Sequence, residues 1–427
     1  MNLNAAQRWE LDYLLKLQSR GWSLGLERMT RLLQTLGNPQ HGIEFVHIAG
    51  TNGKGSAAAL LESILRASGQ RTGLYTSPHL IDVSERIRVN GSAIEPGELA
   101  RHVRAARPHI DSLECSFFEA VTALGLLHFK ACNVEFGMLE VGMGGRLDAT
   151  NVVVPRLSII TTISYDHTDH LGRSLAQIAG EKGGVLKPGV PCVLGILPPE
   201  ARRAIVAMSQ GPLFDARQYA RMRDLKMDPD GSSFDLHLRG FCRRRMRLGL
   251  AGAHQLGNAR IALTAAMILR NQGVPVRDLD LARGLAEVSW PARLERIMDR
   301  PLIITDVAHN PAAVRAARRA LKRLYPGRSI VLVLGLMRDK DLEAILDLWI
   351  PAIRLVVPVA ADHPRALPAE ALSAALVKRG CAVTSAGSVG EGYELALRAA
   401  GEDDLICLTG SHAVVGEGLK KIKHLTN

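Results

Sequence analysis

A glycine-rich loop between a strand pattern and a helix pattern constrains the fold of this chain more than any other stretch. Residues 45–48 form a short apolar run typical of a buried strand. Residues 60–65 place leucines and an isoleucine on one face of a helix. The loop between them, at residues 50–56, reads Gly-Thr-Asn-Gly-Lys-Gly-Ser. Because glycines bring backbone N–H groups close to an anion and the helix N-terminus adds positive charge, we predict a phosphate-binding loop.

Two side chains of this loop suit a nucleotide. Lys54 is long enough to reach the outer phosphates, and the Ser56 hydroxyl can contact the phosphates or magnesium. The expression G-x-x-x-x-G-K-[ST] is not met at its first position, where Ile48 stands. The strand–loop–helix context favours nucleotide binding, and a glycine-rich turn with an incidental lysine is the alternative. The predicted nucleotide-binding residues are Gly50, Thr51, Asn52, Gly53, Lys54, Gly55 and Ser56.

Length and composition limit the class of protein. A chain of 427 residues is long for one core, and a hydrophobic content of 47% with 4% aromatic residues is typical of an α/β protein. No apolar run reaches the ~18 residues of a membrane span, and the N-terminus does not resemble a signal peptide. Six scattered cysteines without a C-x-x-C pair indicate free thiols. We therefore expect a cytoplasmic protein with no membrane partner.

The net charge of +11 is compatible with more than one kind of partner. The densest basic run, at residues 243–247, lies in a segment with alternating side chains, and no aromatic stacking platform accompanies it. A positive field also steers a small anionic substrate, and a basic surface without a partner explains the charge equally well. We predict no nucleic-acid partner.

Polar residues follow three further strand patterns. Ser77 comes after the strand at residues 72–76, Glu140 ends the strand at residues 135–140, and His167 follows the strand at residues 157–163. In open α/β folds, ligands bind at the carboxyl ends of the strands. These side chains are therefore candidates for a binding site.

Glu140 and His167 are the most informative of these candidates. The carboxylate of Glu140 precedes a glycine cluster, which favours a magnesium ligand beside the phosphate loop, with the partner of a nearby arginine as the alternative. The spacing of His167 and His170 could suggest zinc, but no cysteine or third histidine follows nearby. A solvated loop is the alternative for the two histidines.

Strands alternate with helices in two successive stretches, so we predict an α/β fold of two domains. The first, at residues 1–292, is a P-loop ATPase-like domain with a mainly parallel sheet. The second, at residues 298–427, is a smaller Rossmann-like α/β domain. Its predicted strands are at residues 302–307, 329–335, 354–359, 381–385 and 404–409.

Polar residues also end three strands of the second domain, at residues 306–310, 339–341 and 410–412. We interpret them as a face that closes over the nucleotide. Helix capping by Asn310, Asp339 and Ser411 is the alternative and is compatible with that role.

The motifs at residues 46–56, 76–80 and 139–151 resemble those of the folylpolyglutamate synthase/dihydrofolate synthase family, in the muramyl-ligase superfamily of ATP-dependent amide-forming enzymes. The likeness covers nearly the whole chain in the expected order. It continues through Asp166-His167, Glu181-Lys182, His254-Gln255 with Asn258, Arg293-Leu-Glu295, Asp306-Val-Ala-His-Asn-Pro311 and Asp339-Lys-Asp341.

The resemblance implies a reaction, its substrates and a domain assignment. A carboxylate of dihydropteroate, a reduced folate, or both attacks the γ-phosphorus of ATP, and the amine of L-glutamate then displaces phosphate from the acyl phosphate. The same chemistry on a different carboxylic acid is the alternative. ATP and Mg²⁺ are the implied cofactors, with two magnesium ions expected and K⁺ as a further candidate. The implied domains are a Mur ligase central-type ATP-binding domain and a C-terminal glutamate-ligase domain, in a monomer.

The resemblance also implies roles for individual residues. The ammonium group of lysine offers no lone pair to a metal, whereas a carbamate on Lys182 supplies two anionic oxygens; pairing of Lys182 with Glu181 is the alternative. The implied metal ligands are Ser77, Glu140, His167 and Lys182 as a carbamate, and the implied catalytic residues are Lys54, Lys182, His167 and Glu140. The nucleotide site adds Asn258, Arg293, Asp306 and His309 to the loop. The implied pterin site comprises Leu24, Gly25, Leu26, Pro78, His79, Ser116, Phe117, Phe118, Glu119, Leu147, Asp148 and Ala149.

Several positions depart from the family pattern. Gly183 replaces the alanine of E-K-A-G-I, and Ala292 replaces the glycine of P-G-R. Cys115-Ser116 replaces Pro-Thr beside the implied pterin site, and Ala413 replaces a common aromatic residue. The last two departures motivate the alternative acid acceptor.

Overall fold

The computed structural model describes residues 4–21, 25–238, 241–384 and 387–426. Its contacts divide the chain into two compact units. The larger unit comprises Met1–Arg221, Leu236–Arg243 and Gly257–Val288, and the smaller comprises Met222–Asp235, Arg244–Leu256 and Ser289–Asn427. Within the described ranges, no helix combines the length and the apolar character needed to cross a bilayer.

The first part of the chain alternates between helices and strands. In order these are α1 (Ala5–Lys16), α2 (Glu27–Thr35), β1 (Glu44–Ala49), α3 (Lys54–Ala67), β2 (Thr72–Tyr75), β3 (Ile87–Val89), β4 (Ser92–Ala93), α4 (Pro96–Ser112), α5 (Phe117–Ala131), β5 (Phe136–Glu140), β6 (Leu157–Ile160), α6 (Thr168–Leu171), α7 (Leu175–Gly183), β7 (Cys192–Leu194), α8 (Pro199–Met208), β8 (Leu213–Asp215) and α9 (Ala216–Tyr219).

Among the described residues these strands form one eight-stranded sheet in the order β4-β3-β2-β5-β1-β6-β7-β8. The strand pairs β2–β5, β5–β1, β1–β6, β6–β7 and β7–β8 are parallel, whereas the pairs β2–β3 and β3–β4 are antiparallel. The predicted mainly parallel sheet is therefore confirmed. Because β1 lies between β5 and β6, the segments that follow these three strands emerge at the same edge of the sheet.

The sequence of β1 and α3 explains their burial. Phe45 on β1 belongs to a core cluster with residues of α1, α2, α4 and α5. Helix α3 contacts β1, β2 and β5. Leu60, Leu61, Ile64 and Leu65 are all fully buried, as their helical spacing predicted. The strand and the helix are thus both fixed in the core, and the loop between them is held at both ends.

The middle of the chain contains β9 (Arg221–Asp228), β10 (Gly231–Leu238), β11 (Phe241–Leu248), α10 (Ala253–Asn271) and α11 (Asp278–Glu287). Among the described residues the three strands form a sheet in the order β11-β10-β9. The basic run predicted at residues 243–247 lies on β11, where Arg247 forms an ion pair with Asp228.

The last part of the chain contains β12 (Arg293–Asp299), β13 (Leu302–Asp306), α12 (Pro311–Leu324), β14 (Ser329–Leu334), α13 (Leu342–Trp349), β15 (Ile353–Pro358), α14 (Ala369–Val377), α15 (Val389–Ala399), β16 (Asp404–Thr409) and α16 (His412–Thr426). Five described strands form a sheet in the order β12-β13-β16-β14-β15, parallel except for the β12–β13 pair. This second α/β sheet agrees with the predicted fold class.

Two details of this sheet differ from the prediction. The predicted strand at residues 381–385 is wrong over residues 381–384, where Val383 makes an isolated bridge to Val356. Residues 385 and 386 lie outside the described ranges. Strand β12 was not predicted. It is antiparallel to β13 with two register shifts, and these irregularities obscure the alternation by which a strand is recognised in the sequence.

Candidate active site

The loop between β1 and α3 requires glycine at two positions. Gly50 has φ +145°, and a Cβ atom there would lie 2.0 Å from Thr161 Oγ1. Gly53 has φ +84° and precedes the first residue of α3. A Cβ atom on Gly53 would lie 2.4 Å from Asn258 Oδ1. The backbone of the loop therefore approaches its neighbours more closely than a side chain would allow.

Residues that follow β6 hold this loop in place. Thr51 N donates to the carbonyl of Thr162 at 2.7 Å, and Asn52 N donates to the Thr162 hydroxyl at 3.1 Å. The Thr161 hydroxyl donates to Asn52 O at 2.8 Å. The sequence reasoning missed these two threonines. The sequence signal for them was a pair of threonines directly after an apolar strand. That strand, β6, pairs with the strand that leads into the phosphate loop.

Two polar side chains of the predicted nucleotide site lie on or beside the loop. Lys54 is the first residue of α3, and its Nζ donates to Thr51 O at 3.4 Å. Asn258, on α10, is buried beside Gly53. The structure thus brings Asn258 to the loop although the two are about 200 residues apart in sequence, which follows from the packing of the sheet and helices rather than from local sequence.

The predicted metal ligands Ser77 and Glu140 are in contact. Glu140 ends β5, which pairs in parallel with β2 on one side and β1 on the other, and Glu140 itself is in register with Ile48. Ser77 N donates to Glu140 Oε2 at 3.1 Å. The carboxylate is buried, and its charge also acts on the buried guanidinium of Arg86. The metal-ligand and arginine-partner interpretations of Glu140 are therefore compatible.

Lys182 reaches the phosphate loop from the last turn of α7. Its side chain is buried, and Nζ donates to the carbonyl of Gly50 at 3.0 Å. Burial, together with the positive charge of Lys54, lowers the pKa of Lys182 to about 7. The alternative pairing with Glu181 is wrong, because the Glu181 carboxylate accepts hydrogen bonds from Arg146 instead.

His167 lies in the segment between β6 and α7. It has φ +51°, in the left-handed region, and directly precedes the four-residue helix α6. Its Nε2 lies 3.9 Å from an oxygen of Asp166. The same segment contacts the phosphate loop at Ser164, whose N–H donates to Thr51 Oγ1 at 3.0 Å.

Ser116 and Glu119, predicted in the pterin site, form the capping box of α5. The Ser116 N–H and hydroxyl both donate to Glu119 Oε2, at 2.8 and 2.7 Å, and Glu119 N donates back to the Ser116 hydroxyl. The other Glu119 oxygen accepts from Arg28 at 3.2 Å. Both side chains are buried, so this part of the predicted pterin site is engaged in holding the start of the helix.

Arg86 connects several other residues of the predicted pterin site, and the sequence reasoning assigned it no role. Its guanidinium donates to His79 Nδ1 at 2.9 Å and lies 5.1 Å from the centre of the Phe117 ring. Phe118 packs against Tyr75, with ring centres 6.1 Å apart. A buried arginine among aromatic rings at the end of β2 is suited to an anionic or aromatic ligand.

Asp148 organises the turn that follows β5. One carboxylate oxygen accepts from Met143 N at 2.9 Å and the other from Thr150 N at 3.0 Å. Burial raises the pKa of Asp148, and these hydrogen bonds oppose the shift. Its neighbours in the same turn are Leu147, which is half-buried, and Ala149, which is buried.

The remaining residues of the predicted pterin site lie elsewhere. Pro78 follows Ser77, Gly25 and Leu26 precede α2, and Leu24 lies outside the described residues.

In the smaller unit, the predicted nucleotide ligands Arg293, Asp306 and His309 cluster at the ends of β12 and β13. Arg293 and Asp306 are cross-strand partners, and Asp306 accepts from Leu294 N at 3.0 Å. Burial raises the pKa of Asp306 to about 6, and the charge of Arg293 opposes that rise. The His309 ring lies 5.7 Å from that of His412, which also approaches Arg293.

Comparisons with known proteins agree with this arrangement. The family model of the Mur ligase middle domain matches residues 48–266, and that of the Mur ligase glutamate ligase domain matches residues 292–412. The dihydrofolate synthase/folylpolyglutamate synthase of Bacillus subtilis is 34% identical over 353 residues, which span 80% of this chain and 82% of that protein. The chain belongs to the folylpolyglutamate synthase/dihydrofolate synthase family.

Solved structures of this family have the same fold. Escherichia coli FolC in complex with DHPP and ADP has a TM-score of 0.89 and 29% identity, covering 99% of each chain. The bifunctional folylpolyglutamate synthase/dihydrofolate synthase of Yersinia pestis, complexed with AMPPNP and a manganese ion, has a TM-score of 0.83 and 29% identity, covering 99% of this chain and 100% of that one. As a member of this family the protein is an ATP-dependent ligase.

The structure gives physical meaning to two departures from the family pattern. Ala292, where folylpolyglutamate synthases usually have glycine, has φ +56°, a conformation that glycine adopts without strain. The Cys115 side chain, in place of the usual proline, is fully buried in the core. Since its thiol points into the core, this departure does not by itself favour a different acid acceptor.

Proposed function

We propose that the protein joins L-glutamate through an amide bond to dihydropteroate, to a reduced folate, or to both, at the expense of ATP. The observation that carries this proposal is the grouping of Glu140, Ser77 and Lys182 around the start of the phosphate loop. The ADP and DHPP bound to the Escherichia coli relative support the same substrates here.

The first step transfers the γ-phosphoryl group of ATP to the substrate carboxylate. One carboxylate oxygen forms a bond to the γ-phosphorus, the bond from that phosphorus to the bridging oxygen breaks, and ADP leaves. The N–H groups at the start of α3 and the ammonium of Lys54 hold the phosphates and offset their negative charge. Gly53 and Asn258 define how closely the nucleotide can approach the loop.

The residues at this edge also fit a divalent metal. Ser77 offers a hydroxyl, Glu140 a buried carboxylate and His167 an imidazole, which would together supply an incomplete shell that leaves room for phosphate oxygens. A bound Mg²⁺ would neutralise charge on the phosphates. The manganese ion of the Yersinia pestis relative supports a divalent metal, and we propose that two Mg²⁺ ions, with K⁺ as a further candidate, act here.

A carbamate on Lys182 is part of this proposal. The Lys182 ammonium first loses one proton, and the neutral amine then adds to the carbon of CO₂ and loses a second proton, so that a buried cation becomes an anion. The Nζ atom of Lys182 lies beside Gly50 O, next to the phosphate loop. The positive charge of Lys54 acts on this position and would stabilise an anion there. Its two oxygens would then complete the metal site.

The second step consumes the acyl phosphate. The neutral amine of L-glutamate attacks the acyl carbon, the bond from that carbon to the phosphate oxygen breaks, and the amine loses a proton as the amide forms. We propose that residues 1–292 hold ATP and the pterin and that residues 298–427 form the glutamate-ligase domain. We also propose Arg293, Asp306 and His309 as further nucleotide ligands.

Phosphate release with product analysis tests this function. The purified protein with ATP, Mg²⁺, L-glutamate and either dihydropteroate or tetrahydrofolate is expected to release phosphate only when every component is present. Mass spectrometry should show the addition of one or more glutamyl residues. Phosphate release that does not depend on the pterin would overturn the proposal, and a product from another acid alone would favour the alternative acceptor.

We further propose a monomer in the cytoplasm. The free cysteines, three of them buried, support a reducing compartment. Light scattering coupled to size-exclusion chromatography measures the oligomeric state directly, and a stable dimer would contradict the proposal.

A further inference from the structure

A group of metal-binding side chains lies away from the candidate active site, between α4 and α5. Glu98 and His102 are separated by one turn of α4, and His128 and Cys132 by one turn at the end of α5. Pro96 fixes the start of α4, so that Glu98 falls in its first turn, and Cys132 is the residue that ends α5. Residues four apart on a helix share a face, so each helix presents one pair of ligands.

The distances between these side chains are those of a compact cluster. One potential ligand atom from each of Glu98, His102 and His128 lies within 4.8 Å of the others. His102 Nε2 is 3.4 Å from Glu98 Oε1, and Cys132 Sγ is 3.6 Å from His128 Nε2. Tetrahedral zinc, with bonds of about 2.0–2.3 Å, holds its ligand atoms roughly 3.3–3.6 Å apart. Three of the four side chains therefore already group closely, and the fourth, Cys132, adjoins His128.

The surroundings of the cluster favour a ligand over ordinary packing. His128 is buried, the His102 side chain is only 12% exposed, and His102 Nε2 is buried without a hydrogen-bond partner among the described residues. The two rings meet edge to face, with centres 5.6 Å apart. Arg101 also pairs with Glu98, but its side chain is 68% exposed, so this ion pair is weak and can be exchanged.

We propose that Glu98, His102, His128 and Cys132 bind one divalent transition-metal ion, with Zn²⁺ as the expected ion, and that this ion fastens the start of α4 to the end of α5. The donor set is one oxygen, two imidazole nitrogens and one sulfur, which suits zinc and does not suit magnesium. The site is separate from the residues assigned to the ligase reaction and does not depend on them.

Cobalt binding to the full-length, reduced, metal-stripped protein tests this site. In excess Mg²⁺, the parent protein should bind one more equivalent of Co²⁺ than the double variant His102→Ala/His128→Ala, with the intense visible bands of tetrahedral cobalt. A near-ultraviolet thiolate-to-cobalt charge-transfer band should be present in the parent and absent in Cys132→Ser. Zn²⁺ should raise the Tm of the parent more than that of the double variant.

A second cysteine–histidine pair provides the matched control. Cys242 Sγ lies 3.5 Å from His237 Nδ1 on β11 and β10, and the variant His237→Ala/Cys242→Ser should keep the extra equivalent and its spectrum. Equal cobalt uptake by the parent and the double variant would overturn the proposal. If the double variant does not fold, an undiminished charge-transfer band in Cys132→Ser overturns it instead.

Discussion

Lys182 Nζ donates a hydrogen bond to the carbonyl of Gly50 at 3.0 Å, across 132 residues of sequence. The carbonyl belongs to the first residue of the phosphate loop, and the lysine belongs to the last turn of a helix that follows β6. A buried cation is costly unless it is compensated, so this placement supports the role that we propose for Lys182.

We expect Lys182→Ala to lose most of the ligase activity, by roughly 100-fold or more, because a proposed ligand of the metal ion that offsets the charge of the phosphates is removed. Acetate or another short carboxylate should restore part of that activity if the lysine acts as a carbamate. Initial rates with and without acetate measure both effects. Lys187→Ala, which changes a half-buried lysine outside the proposed site, is the control and should neither lose activity to this extent nor respond to acetate. Equal activity in Lys182→Ala and the parent would contradict the role.

Gly53→Ala should weaken ATP binding by at least about tenfold, because the added Cβ atom would lie 2.4 Å from Asn258 Oδ1 and displace either the loop or the asparagine. Gly69→Ala is the matched control. Gly69 has a similar φ of +88°, but its added Cβ atom would have no neighbour within 4 Å. The control should therefore lose stability without losing affinity for ATP. Calorimetric titration with ATP separates the two, and the same loss of affinity in both variants would show that backbone strain alone is responsible.

Ala292→Gly should stabilise the protein by up to about 1 kcal/mol, since Ala292 occupies the left-handed region that glycine adopts more readily. The expected result is a higher Tm in a thermal melt. Ala317→Gly, in the middle of α12, changes the same residue type in a helical conformation and should lower the Tm. A decrease in Tm for Ala292→Gly would mean that the alanine methyl group contributes packing that outweighs the strain.

His47 should make the protein less stable as the pH falls. It is fully buried on β1 and its Nε2 contacts Thr150 Oγ1 at 2.8 Å; burial, with a smaller effect of Lys187, lowers its pKa from 6.5 to about 3. Between these two pKa values the unfolded chain binds more protons than the folded state. The stability that His47 contributes is therefore present above pH 6.5 and is lost as the pH falls toward 3. The loss in free energy of unfolding is up to ~1.4 kcal/mol per pH unit.

The variant His47→Gln should reduce this loss, so that its Tm falls less steeply than that of the parent between pH 6.5 and about 4.5. His41→Gln, at an exposed position, is the control and should follow the parent. Parallel curves for His47→Gln and the parent would assign the acid sensitivity to other groups.

Much of the fold could be predicted because its signals are local. The apolar run of β1, the glycines of residues 50–56 and the apolar face of α3 lie within 25 consecutive residues, and each follows from backbone geometry and side-chain spacing. The alternation of strands and helices likewise predicted two parallel-rich sheets. The misses occurred where the local pattern is irregular, as in β12, or where a strand-like run makes only an isolated bridge, as at Val383.

The candidate site was predicted less completely. Residue types at strand ends identified Ser77 and Glu140, but their contact depends on the parallel pairing of β2 with β5. Ser116 and Glu119 carried the spacing of a capping box, and only the structure showed that each satisfies the other. Arg86 lies in no recognised motif, and Thr162 was assigned no role although it belongs to a pair of threonines after an apolar strand.

The sequence by itself determined the nucleotide loop, the fold class and the family, because each is written in short motifs whose conformation depends on neighbouring residues. Tertiary structure decided which distant residues meet: Lys182 with Gly50, Asn258 with Gly53, and His102 with His128. Such contacts depend on how sheets and helices pack, and burial then sets the charge and hydrogen bonding of each group. That dependence on packing is the reason why chemistry at these positions cannot be read from the order of residues alone.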